Sequence, residues 1–110
     1  MNLQTKIIEL DDALFALTIE CCDEETIKKF NEKGFEGNGY TWCGIIESIA
    51  RLEFGDKSSS LSYSPEADST MVIYKDKETL KNLELKVTEA LKNSDYMKKV
   101  IENSNPEYMD

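Results

Sequence analysis

The sequence predicts an α+β domain, an antiparallel sheet of about four strands built from two hairpins, with helices packed on one face in the order ββα-α-ββα-α. Three observations predict it. Two stretches of strand-like alternation each close on a turn signal, residues 6–20 on Asp11-Asp12 and residues 60–75 on S-P-E-A-D. Each hairpin is followed by an aspartate that opens a helical pattern, D-E-E-T-I-K-K-F at Asp23 and D-K-E-T-L-K-N-L at Asp76. Finally, a chain of 110 residues has room for one modest core, so both units are expected to share a single domain over 1–110, with 104–110 as a flexible tail.

The elements follow in order. A strand over 6–10 turns at Asp11-Asp12 into a second over 13–20, where Phe15, Leu17 and Ile19 share a face. A helix over 24–33 turns Ile27 and Phe30 inward and ends at Gly34 as a left-handed cap. Thr41 is expected to cap the next helix, whose stripe Trp42, Ile45, Ile46, Ile49 and Phe54 runs up to Gly55. G-D-K-S-S-S over 55–60 reads as the most mobile internal linker. The second hairpin pairs 60–64 with 70–75, and Pro65 presets the dihedral of the turn's second position. A helix over 77–92 presents Leu80, Leu83, Val87, Ala90 and Leu91, and a short one after Asn93-Ser94-Asp95 presents Met97, Val100 and Ile101 before Pro106. The likeness of the two aspartate-led strings fits either an old duplication or the convergence of capped amphipathic helices.

Composition narrows the function. No apolar run reaches the roughly 20 residues of a membrane span. Glu9, Asp11 and Asp12 interrupt what would be the core of a signal peptide, so a cytoplasmic protein is expected. The three cysteines, Cys21, Cys22 and Cys43, fit no disulfide framework and suit a reducing compartment. The chain has no histidine, which removes the commonest general base and metal ligand together. No cysteine–histidine catalysis, zinc site, EF-hand loop or nucleotide motif can be assembled, and no metal or cofactor is expected.

The net charge is −9, and residues 1–74 carry most of it, with 14 acids against six bases. Between Lys6 and Lys28 lie seven acids and no base. Such a field repels nucleic acid and anionic lipid and attracts basic proteins, although a merely solubilising surface gives the same composition.

One stretch stands apart, G-F-E-G-N-G-Y-T-W over 34–42. It lacks the Walker lysine and the G-x-G-x-x-G spacing, follows a helix, and carries Glu36 where phosphate would sit, so it is no phosphate loop. Its glycines Gly34, Gly37 and Gly39 suit a tight helix-to-helix connection. Trp42 reads as a core plug, which leaves Glu36, Asn38 and Tyr40 to face a partner. With them, Asp11, Asp12, Glu20, Asp23 and Glu24 form the candidate interface.

This stretch, with L-S-Y-S-P-E-A-D-S-T-M-V-I-Y and K-D-K-E-T-L, resembles Immunity protein 51, a family of small bacterial proteins associated with polymorphic toxin systems. The likeness covers roughly residues 14–91, with Gly34, Gly37, Gly39, Tyr40, Trp42, Tyr63, Pro65, Glu66 and Ala67 as its most specific positions; Cys43 and Gly44 depart from the polar helix start expected there. The resemblance implies an α+β domain that binds and neutralises a cognate protein toxin inside the producing cell, with no catalytic residue and no cofactor. If that toxin is a nuclease with a basic cleft, an acidic inhibitor would associate by electrostatic steering. The alternative from the residues alone is a small ligand-binding or regulatory domain with its site between sheet and helices.

Overall fold

The computed structural model describes residues 4–11, 13–20, 24–32, 34–35, 37–66 and 68–104. Its elements are β1 (Gln4–Leu10), β2 (Leu14–Glu20), α1 (Glu24–Glu32), α2 (Gly39–Phe54), a 3₁₀ helix (Gly55–Ser60), β3 (Ser62–Pro65), β4 (Ser69–Tyr74), α3 (Lys77–Lys92) and α4 (Ser94–Glu102). This is the expected α+β order. The sheet order is β1-β2-β4-β3 with antiparallel neighbours, so the two hairpins join through their second strands.

Register decides which side of each strand is buried, because strand side chains alternate between faces. Ile7, Leu17, Val72 and Tyr63 align in one row, with Phe15–Tyr74 and Ile19–Thr70 beside it. These residues meet the helices. Leu17, Ile19, Val72 and Tyr74 join Trp42, Ile45, Ile46 and Ile49 of α2, Leu80, Leu83 and Val87 of α3, and Val100 of α4 in one buried core. Helix α2 lies at its centre, where it is buried without a break from Thr41 to Ala50.

Polar contacts fasten the helices to one another. The Ser48 hydroxyl of α2 donates to the Val100 carbonyl of α4 at 2.7 Å, both groups being buried. Glu53 of α2 holds Lys86 of α3 at 3.4 Å and accepts from the Tyr96 hydroxyl of α4 at 3.2 Å. Burial, aided by the nearby Glu53 carboxylate, pushes the Tyr96 phenol up to about 12.

The structure corrects three sequence expectations. Asn38, not Thr41, is the N-cap of α2, because its carboxamide oxygen reaches the Thr41 amide at 3.0 Å. The presumed mobile linker over 55–60 is a 3₁₀ helix: Gly55, at φ +59°, ends α2 with its N–H on the Arg51 carbonyl, and Ser58 is buried. Pro65 closes β3 opposite Thr70 instead of shaping the turn, a place where an edge strand tolerates the missing N–H. The expected tail lies outside the described residues except for Ser104, whose amide and hydroxyl both bond to the Ile101 carbonyl.

Candidate functional site

The glycine stretch is built from the end of α1 outward. The amide of Gly34 bonds to the Asn31 carbonyl at 3.0 Å and that of Phe35 to the Phe30 carbonyl at 2.9 Å, the paired closure of a Schellman end. Gly34 stands at φ +89°, the left-handed conformation this closure needs, as its sequence position suggested. Phe35 then turns back to pack against the core.

The chain next lies down on α1. A side chain at Gly37 would press on the Ile27 backbone at 3.1 Å and on Phe30 at 3.3 Å. Thr41 locks this segment from the other side: its hydroxyl accepts from the Gly37 amide at 3.1 Å and donates to the Asn38 carboxamide at 3.3 Å. Asn38 therefore spends its side-chain oxygen inside the loop, capping α2.

Gly39 joins this loop to the second hairpin. A β-carbon there would overlap the carbonyl oxygens of Glu66 and Ser69. The Thr70 hydroxyl donates to the Gly39 carbonyl, while the Glu66 amide closes the β3–β4 turn on the Ser69 carbonyl at 2.7 Å. The two sequence stretches that carry the family resemblance are thus pressed together backbone to backbone. Below them Trp42 is fully buried, edge-on to Phe30 with ring centroids 5.3 Å apart, the plug its spacing predicted.

Tyr40 follows directly on this joint and is 40 % exposed, with Leu14 and Leu85 one of three large apolar side chains exposed among the described residues. Acids occur on the elements that meet here. Glu20 ends β2 opposite Ser69, Glu24 and Glu25 open α1, and Glu66 and Asp68 flank the β3–β4 turn; all five are exposed. Neither Glu66, a position of the family resemblance, nor Asp68 is picked out by the sequence as a group beside the glycine stretch, because the seating of the S-P-E-A-D turn against Gly39 is not visible there. Asp11 sits instead at the β1–β2 turn, a seven-residue strand of about 20 Å away from Glu20. The structure therefore does not gather the acids of the first hairpin into one patch. Glu36, Asp12 and Asp23 lie outside the described residues, as do Cys21 and Cys22.

Cys43, beside the loop on α2, is buried, and burial together with the Glu47 carboxylate pushes its thiol up to about 11, away from nucleophilic use. No metal-binding cluster of histidine, cysteine or carboxylate groups occurs among the described residues. Between sheet and helices the core side chains of both layers pack in one cluster. No helix among the described residues is long and apolar enough to cross a membrane.

A family model, Immunity protein 51, matches residues 5–106. The chain belongs to the Immunity protein 51 family. The match extends beyond the resembling stretches at both ends and takes in every strand and helix of the described residues apart from the first residue of β1. No curated protein and no solved structure gives a match. Within this Immunity protein 51 chain, the glycine stretch and the β3–β4 turn meet at Gly39, with Tyr40 exposed beside the contact.

Proposed function

We propose that the protein is a stoichiometric, non-catalytic inhibitor that binds and neutralises a cognate toxin of a polymorphic toxin system in the cell that makes both. The family supplies the class of function. The observation that supports the choice of surface is the close contact of Gly39, the first residue of α2, with the backbone of Glu66 and Ser69, which sets the exposed Tyr40 next to the β3–β4 turn with its acids Glu66 and Asp68. A rigid aromatic group loses little entropy on binding, and aromatic anchors dominate interface energetics.

The charge of this end selects a basic partner. The acids repel nucleic acid while offering carboxylates to lysines and arginines, so a nuclease with a cationic cleft is the toxin class that fits best. The inhibitor would then occupy the cleft in place of the substrate.

Co-expression tests the proposal directly. Cells producing the toxin encoded beside this protein should survive when it is present, and the two should co-purify in fixed ratio. Failure of both protection and binding would remove the proposal. Tyr40→Ala should leave folding intact and lower affinity by about 10-fold or more, the loss expected for an aromatic anchor.

A further inference from the structure

An antiparallel sheet that faces water on one side alternates apolar inward with polar outward. Three strands here break that alternation. Ile7-Ile8, Ala16-Leu17 and Met71-Val72-Ile73 place apolar groups on both faces. The register aligns Ile8, Ala16 and Ile73 in one row across the face away from the helices, with Met71 beside Ile73's row and the Leu10–Leu14 pair at its end. Ala16 is fully buried by its flanking strands, whereas Ile8, Leu10, Met71 and Ile73 are only half-buried, and Leu14 is 36 % exposed. None of these six residues packs in the core cluster shared with the helices.

Charge decides what can cover this face. Among the strand residues that point to it, Lys6 and Glu20 are the ionisable ones, so the face is neutral on a chain of net charge −9. Both line a shallow depression with Gln4, Thr5 and Thr18, and neither has an ion-pair partner among the described residues. A basic protein is drawn to the acidic end instead. Two copies of this chain repel one another through their acidic surfaces but not through this face, where Lys6 of one copy can meet Glu20 of the other.

We infer that the open sheet face is a self-association surface, covered by the same face of a second copy about a two-fold axis. Ile8, Met71 and Ile73 form its centre and Lys6–Glu20 pairs its margins. Strands of four to seven residues about 4.8 Å apart make a face of roughly 400 Å² per copy, below the roughly 600 Å² per partner of a stable interface, so the dimer is weak and forms only as concentration rises. The inference does not rest on toxin binding, and it leaves Tyr40, Glu24, Glu66 and Asp68 uncovered, Glu20 being the acid that both surfaces would share.

Sedimentation equilibrium of the full chain from about 1 µM to about 1 mM reads it out. The apparent mass should double towards the upper end. Ile73→Lys, Met71→Glu and Lys6→Glu should each shift the transition at least about 10-fold upward in concentration with an unchanged circular dichroism spectrum, the change that about 1.4 kcal/mol produces. The swap Lys6→Glu with Glu20→Lys should restore it, and Leu85→Glu, at a position 66 % exposed on α3, should leave it unchanged. If Ile73→Lys fails to fold, the Met71 and Lys6 variants carry the test. A wild-type chain that stays monomeric overturns the inference, as does a dimer indifferent to all three variants. A monomer whose Ile73→Lys variant loses toxin binding also overturns it and gives the face to the toxin.

Discussion

At the residue scale, Gly39 is the position where backbone chemistry leaves least choice. Any β-carbon there would collide with carbonyl oxygens that belong to backbone and cannot rotate away. Gly39→Ala is expected to destabilise the protein by about 2–4 kcal/mol, in the range of severe steric changes, measured by denaturant unfolding. Gly34→Ala meets no atom within 4 Å and suffers only from its φ of +89°, so about 1 kcal/mol is expected. Equal costs at the two sites would refute the clamped joint. Asp76 offers a second residue-scale test. The Thr79 hydroxyl above all holds its carboxyl below the ordinary 3.8, against desolvation, and the Glu78 amide and Lys57 add to the lowering. A folded pKa below the unfolded one stabilises above the unfolded value, and the benefit fades as pH falls through the folded value. Thermal unfolding of wild type and Asp76→Ala should therefore differ most at neutral pH and converge below pH 3.8. A difference that grows with acidity would contradict the assignment.

At the element scale, local signals gave what local chemistry controls. Helix α3 has the expected bounds because Asp76 caps it and Leu80, Leu83, Val87 and Ala90 repeat at helical spacing, with no help needed from elsewhere. The start of α2 was misread because Asn38 and Thr41 are both good capping types, and the choice between them depends on how Gly37 folds back over α1. Residues 55–60 look like linker composition, and only the packing of Ser58 and the cap at Gly55 turn them into a 3₁₀ helix. Of the site, Tyr40 was legible as an exposed aromatic in a glycine loop, whereas Glu66 and Asp68 join it through contacts more than 25 residues away in sequence. The clasp between α2 and α4 was likewise invisible. Arg51 pairs with the buried Glu47 and donates to the Asn103 carbonyl at 2.6 Å. One Glu47 oxygen has no hydrogen-bond partner, so Arg51 supplies the charge compensation seen for this carboxylate among the described residues. Arg51→Ala should cost about 3 kcal/mol by leaving Glu47 buried and unpaired, and adding Glu47→Gln should recover about half, as a double-mutant cycle would read. Strict additivity would show that the pair is only a surface contact.

At the scale of the whole molecule, the fold sorts the charge. The sheet's open face is neutral, with Lys6 and Glu20 as its ionisable groups, and the basic residues of α3 and α4 largely balance their own acids, while Glu66 and Asp68 flank the turn at the glycine joint and Glu24 opens α1. Long-range attraction acts before contact, so this asymmetry governs how fast a basic partner arrives and in which orientation. Reversing Glu24, Glu66 and Asp68 to Lys changes the local charge by six while leaving the core and the open face alone. For a basic toxin, stopped-flow association should slow by about 10-fold or more at low salt, and the slope of the rate against ionic strength should flatten. Reversing Asp11 should do far less, because it lies about 20 Å away at the far end of β2 and a Debye length at physiological salt is about 8 Å. Dissociation rates separate steering from contact. If the triple reversal leaves association unchanged and only speeds dissociation, the acids are contact residues without a steering role. If Asp11 proves as sensitive as the other three, the toxin approaches along the whole sheet edge and the glycine joint is not the centre of the interface.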